Sequence, residues 1–144
     1  VIAVTDHFNL KEFTRSETAD KLKIDNTLPD ALMPAMLFTA CGMERIRHVL
    51  KYPMKITSGY RCDELNKAVG GVDDSQHKDA EACDFVCPVF GIPRDVVIRL
   101  LPMVKPLGID QLILEGGWVH VSFTTRPRYE VLTLVKGKYV KGLA

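Results

Sequence analysis

From Pro29 to about Leu50 the apolar residues Leu32, Met36, Ala40, Met43, Ile46 and Val49 recur mostly three and four residues apart. That spacing gives a helix one apolar stripe, so the segment predicts the main amphipathic helix of the chain. After residue 106 the pattern changes to short apolar runs, "IDQLILE", "WVHVSF", "YEVLTLV" and "KYVKGLA". Such runs, split by Gly116-Gly117 and by Lys136-Gly137-Lys138, predict two hairpins. Helices come first and antiparallel strands later, which is the order of the α+β class.

The remaining segments fit that order. Residues 9 to 22, "NLKEFTRSETADKL", predict one or two short helices, with Ser16 and Asp20 as a start signal. "MKITSGYR" reads as a short strand leaving at Gly59, and "CDELNKAVGG" as a short helix stopped by Gly70 and Gly71. "ACDFVC" predicts a strand buried on both faces or nearly so. "IPRDVVIRLLPMV" predicts a helix with Pro93 in its first turn, ending near Pro102 or Pro106. A length of 144 residues suits one domain, 1–144, with one core.

Nineteen basic residues against eighteen acidic give a net charge of +1. So even a balance offers no field for steering nucleic acid or an anionic membrane, and no nucleic-acid partner is expected. No apolar run approaches the roughly 20 residues of a membrane span. "VIAVTDHF" lacks the basic and long apolar regions of a signal peptide, so synthesis in the cytoplasm is the expectation. Cys41, Cys62, Cys83 and Cys87 form no CxxC pair, which argues against a thiolate zinc knuckle. Cys41 falls in the helical pattern and is read as a buried thiol, and all four as reduced. His7, in a segment read as mobile, and His48, near the helix end, are read as structural or surface residues.

The stretch "DDSQHKDAEACDF", residues 73 to 85, has two readings. One is a polar loop running into a buried strand. The other is half a metal site, with His77 and Asp84 as ligands. Alternation in "WVHVSF" puts Trp118, His120 and Ser122 on one face of a strand, so His120 is a candidate third ligand, although a packed strand histidine fits equally. Two histidines and one aspartate suit Zn²⁺ with a fourth position open.

"SQHKDAEACD" resembles the Ser-x-His-x-x-Gly-x-Ala-x-Asp signature of the zinc D-Ala-D-Ala carboxypeptidase family, which includes D,D-dipeptidases and phage L-alanyl-D-glutamate endolysins. "ITSGYRCDELNKAVGG" resembles the segment before that signature, and "DQLILEGGWVHVSF" the closing one. "HFNLKEFTRSETA" resembles the start of a small phage-and-bacterial branch, so the likeness runs from about residue 7 to residue 123.

The resemblance implies a Hedgehog/D,D-peptidase-like fold with N-terminal helices on a mainly antiparallel sheet. It implies His77, Asp84 and His120 as zinc ligands, Ser75 as a group orienting a ligand or a substrate carbonyl, and Arg61 as the arginine that steadies substrate or oxyanion. Two departures stand out. Ala80 replaces the signature glycine, which costs strain if the backbone needs a positive φ. Gly117 occupies the place, three before the last histidine, where many members carry an acid; Glu115 is the nearest carboxylate and the candidate base. Trp118 either lines the cleft or packs in the core, with the core as default. The implied activity is zinc-dependent hydrolysis of the peptidoglycan stem peptide of the cell wall, at D-Ala-D-Ala or L-Ala-D-Glu. A monomer is expected, and its small size suits a phage lysis or virion-associated enzyme, with a bacterial protein or prophage relic as the other origin. The competing reading is a zinc-containing binding or structural module that has lost catalysis, as a missing acid at position 117 would cause.

Overall fold

Three helices lead the chain in the computed structural model, which describes residues 3–144: α1 (Leu10–Thr14), α2 (Glu17–Leu22) and α3 (Met33–Leu50). Asn9 caps α1 reciprocally with Glu12, and Ser16 caps α2 through the amide of Ala19, so both short helices start where a side chain meets orphan N–H groups. Along α3 the buried residues are Met36, Thr39, Ala40, Gly42, Met43, Ile46 and Leu50, the stripe expected from the spacing. Its exposed side carries Cys41. The reading of Cys41 as a buried thiol is therefore corrected: it lies one residue, a turn of about 100°, past Ala40 and off the buried face.

Six strands form one sheet in the order β1-β2-β4-β3-β5-β6: β1 (Lys55–Ser58), β2 (Ala82–Val86), β3 (Gln111–Leu114), β4 (Val119–Ser122), β5 (Glu130–Val135) and β6 (Lys138–Lys141). The helices α4 (Asp63–Ala68) and α5 (Pro93–Leu100) interrupt the strands. All neighbours pair antiparallel except β3 with β5, which run parallel. Cys83 and Phe85 on β2, Leu112 on β3 and Val119 and Val121 on β4 are fully buried in the core that includes Met36, Met43 and Ile46 of α3.

The opposite face of the sheet carries one cross-strand row. Ser58 pairs with Asp84, Asp84 with His120, His120 with Ile113, and Ile113 with Leu132. Paired residues share a face, so Asp84 and His120, 36 positions apart in sequence, meet as neighbours. The level of β4 is held from the core side. Gly42 of α3 lies against the ring of Phe123, where an added Cβ would come within 2.6 Å, and the Arg45 guanidinium sits 5.7 Å from the same ring centroid. Among the described residues no helix is long and apolar enough to cross a membrane.

Candidate active site

Asp84 reaches the site from the middle of β2, where β1 and β4 flank it on both sides. His120 comes from the adjacent rung of β4, and its Nδ1 lies 3.0 Å from Asp84 Oδ1. His77 comes from outside the sheet, on a 3₁₀ turn (Gln76–Asp79). The hydroxyl of Ser75 caps that turn by accepting the His77 amide at 3.2 Å. Ser75 thus positions His77 through its backbone.

Ala80 ends the turn at φ 58, ψ 29, in the left-handed region, so the departure from glycine does fall where a positive φ is needed. Two bonds compensate for that conformation: Ala80 N–H donates to the His77 carbonyl, and Thr39 donates its hydroxyl to the Ala80 carbonyl at 2.7 Å.

The His77 ring is fixed by its partner. Nδ1 lies 2.7 Å from the Gly59 carbonyl, which only accepts, so the ring proton sits on Nδ1. Nε2 is then the lone-pair nitrogen, 3.3 Å from Asp84 Oδ1. One ligand atom from each of His77, Asp84 and His120 falls within 4.8 Å of the others. A lone pair facing a carboxylate oxygen at that distance needs positive charge between them, either a proton or a metal ion. Two imidazole nitrogens and one carboxylate form a donor set suited to Zn²⁺, and the carbonyl hydrogen bond behind His77 is the kind of support that metal-binding histidines use. Burial alone would raise the Asp84 carboxyl, but the His120 and His77 rings beside it hold it well below the usual carboxylate range.

Arg61 follows β1 on a tightly held loop. Its Nε donates to Ser58 Oγ at 3.1 Å, Nη1 to Asn66 Oδ1 at 3.2 Å and Nη2 to Asp84 Oδ2 at 3.5 Å. A guanidinium has five N–H donors, so two remain for a ligand. Asn26 clamps the same loop: Nδ2 donates to the carbonyls of Thr14 and Tyr60, and Oδ1 accepts the Cys62 amide, all between 2.8 and 2.9 Å. Sequence reasoning missed Asn26, which carries no local signal beyond an Asx-type turn composition.

These groups open into a cleft of about 510 Å³ that Glu115, Trp118 and Tyr139 also line. Glu115 directly follows β3 on the cleft side and is half-buried; desolvation raises its carboxyl above the ordinary value, against the hydrogen bond from Tyr139, which lowers it. Trp118 is 41% exposed, which corrects its default assignment to the core. It sits in the turn beyond Val119, the last paired residue of that rung, where no neighbouring strand covers it. Asp110 is a poorer candidate for the base, being buried and accepting from Arg128, Gln76 and Ser122. His7 hydrogen-bonds Glu44 through Nδ1 at 2.9 Å, and neither it nor exposed His48 approaches the site.

The family model for peptidase M15 matches residues 6–122, most of the chain and all of the segments just described except the last hairpin. The chain belongs to the peptidase M15 family. M15 peptidases are generally zinc-dependent, and the His77–Asp84–His120 cluster is where this member could hold such an ion. The resemblance read from "SQHKDAEACD" and its flanking segments is borne out by that match. No individual curated protein matches the chain.

Proposed function

We propose that this M15 member is a zinc-dependent peptidase that hydrolyses a bond in the stem peptide of bacterial peptidoglycan, either D-Ala-D-Ala or L-Ala-D-Glu. One observation carries the reading: a single row of the sheet brings Asp84 and His120 together under His77, with Arg61 and Glu115 in the same cleft. His77 Nε2, Asp84 and His120 Nδ1 are the proposed ligand atoms. A Zn²⁺ held there would supply Lewis acidity and would make a water it binds acidic enough to ionise near neutral pH.

The protein's own groups do the rest. Glu115 takes the proton from the attacking water as its oxygen bonds to the carbonyl carbon. It then gives that proton to the amine nitrogen as the C–N bond breaks, leaving an acid and an amine. Its desolvation-raised carboxyl is closer to neutral pH than a free one, which suits a group that must accept and then return a proton. Arg61, with two donors left, faces the negative charge that develops on the carbonyl oxygen or holds a substrate carboxylate. Trp118 offers a flat apolar wall. A phage lysis or virion-associated role belongs to the same proposal, "HFNLKEFTRSETA" resembling the start of a small phage-and-bacterial branch.

The test is mass spectrometry of purified peptidoglycan incubated with the zinc-loaded protein, with a chelator-treated control. Loss of terminal D-Ala identifies a carboxypeptidase. New L-Ala carboxyl and D-Glu amino ends identify an endopeptidase. Unchanged sacculi with zinc confirmed bound refute catalysis and favour a binding module, the reading that Gly117 in place of an acid supports.

A further inference from the structure

Glu115 lies just past the paired part of β3, where its N–H donates to the Trp118 carbonyl at 3.1 Å. The turn that follows offers no constraint. Gly116 has a φ of 96, and a Cβ added at Gly116 or Gly117 would meet nothing within 4 Å. The carboxylate therefore needs an external hold, and the last hairpin supplies it. Tyr139 of β6 places its hydroxyl 3.2 Å from one carboxylate oxygen and 3.1 Å from the other. Among the described residues these are the only side-chain hydrogen bonds that Glu115 makes. The register explains the meeting: Tyr139 pairs with Leu134 of β5, two residues beyond Leu132, which pairs with Ile113 of β3. The hairpin lies beyond residue 122, outside the stretch that the family model matches.

We propose that Tyr139 is the positioning residue of Glu115, so that the β5–β6 hairpin is a working wall of the cleft. This rests on the reading of Glu115 as the base. The phenol has one proton and donates it across both oxygens, which fixes the carboxylate plane and leaves its outer lone pairs for a water. The other charged or titratable groups facing Glu115 are His77, Asp84, His120 and Arg61, and among the described residues none of them hydrogen-bonds the Tyr139 hydroxyl.

The test compares wild type with Tyr139→Phe, which keeps the ring, and with Val140→Ala, a change to the neighbouring residue of the same edge strand. Steady-state kinetics on isolated muropeptides, zinc content, melting temperature and a ¹³C titration of the Glu115 carboxyl are read for each. Tyr139→Phe should lower kcat by on the order of ten- to a hundredfold with KM within about twofold, because a hydrogen bond to a charged group is lost. The Glu115 midpoint should move up, since that bond favoured the charged form. Zinc content and melting should not move, and Val140→Ala should leave kcat unchanged. An unmoved kcat and midpoint, or a raised KM at constant kcat, would overturn the proposal. If the wild type is inert on every muropeptide, the functional reading fails by itself. The Glu115 midpoint then still decides the contact: a shift upholds it and no shift overturns it.

Discussion

Replacing Gly59 with alanine should damage both the fold and the site, for a reason of space alone. Its Cβ would lie 2.3 Å from the Phe13 carbonyl oxygen, 2.8 Å from Phe13 Cα and 2.9 Å from the Phe13 carbonyl carbon. These are backbone atoms of α1 and cannot rotate away. They are also bonded to the same loop, because Tyr60 N–H donates to the Phe13 oxygen at 2.7 Å. Forcing α1 off β1 costs about 1–3 kcal/mol of overpacking strain, and losing the buried bond about 1 kcal/mol more. A loss of about 3 kcal/mol corresponds to a fall in Tm of roughly 6–12 °C for a chain of this size. The Gly59 carbonyl also accepts from His77 Nδ1, so the displaced loop turns the ring and zinc affinity should fall by about 10- to 100-fold. Thermal unfolding by circular dichroism and a competitive zinc titration read the two effects. Gly117→Ala is the control: its Cβ meets nothing within 4 Å, so it should stay within about 0.5 kcal/mol of wild type. A Gly59→Ala protein that melts within about 2 °C of wild type and keeps its zinc affinity would refute the packing argument.

Three further outcomes are expected. His120→Ala should lose stoichiometric zinc by elemental analysis while keeping its far-ultraviolet circular dichroism, and full occupancy would remove His120 from the ligand set. Asn26→Ala leaves two carbonyls and one amide of the Arg61 loop without their partner, which should cost about 2–4 kcal/mol in denaturant unfolding; a cost under about 0.5 kcal/mol would mean water replaces the clamp. Asp110 is an acid-sensitive group of the fold. Burial would raise its carboxyl, but the bonds from Arg128 and Gln76 hold it at about 2, against an ordinary value of 3.8. A depressed folded value contributes stability above the unfolded value, so that contribution is present above about pH 4 and lost as pH falls towards 2. With Arg128 half-exposed, the screened contribution is about 1–2 kcal/mol, and Arg128→Met should remove most of it at pH 6 while leaving stability near pH 2 almost unchanged. Equal losses at both pH values would refute the assignment.

How much of this was legible in the sequence follows from the range of the interactions. Apolar spacing over 29–50 located α3 because a helix buries one stripe whatever it packs against, and its buried set matches. Gly116-Gly117 and Gly137 marked both hairpin turns because the chain reverses only where the backbone permits it. His77, Asp84 and His120 could be named as candidate ligands from motif resemblance, and the fold brings the three together. Ala80 at a positive φ realised the strain foreseen for a missing glycine.

The sequence by itself determined the elements, their order and the residues with chemistry to offer. Tertiary structure decided what those residues meet. The pairing of Asp84 with His120 is a register between strands, and the parallel pairing of β3 with β5 is a crossover. Neither leaves a local period to read. Exposure of Cys41 and Trp118 depends on which neighbour lies over them, not on their own hydrophobicity. The partners of Asn26, Asp110 and Glu115 are polar groups 12 or more residues away, joined by short-range, directional bonds. Local propensity acts over a few residues. A hydrogen bond requires donor and acceptor within about 3 Å, and only the folded chain brings distant segments that close.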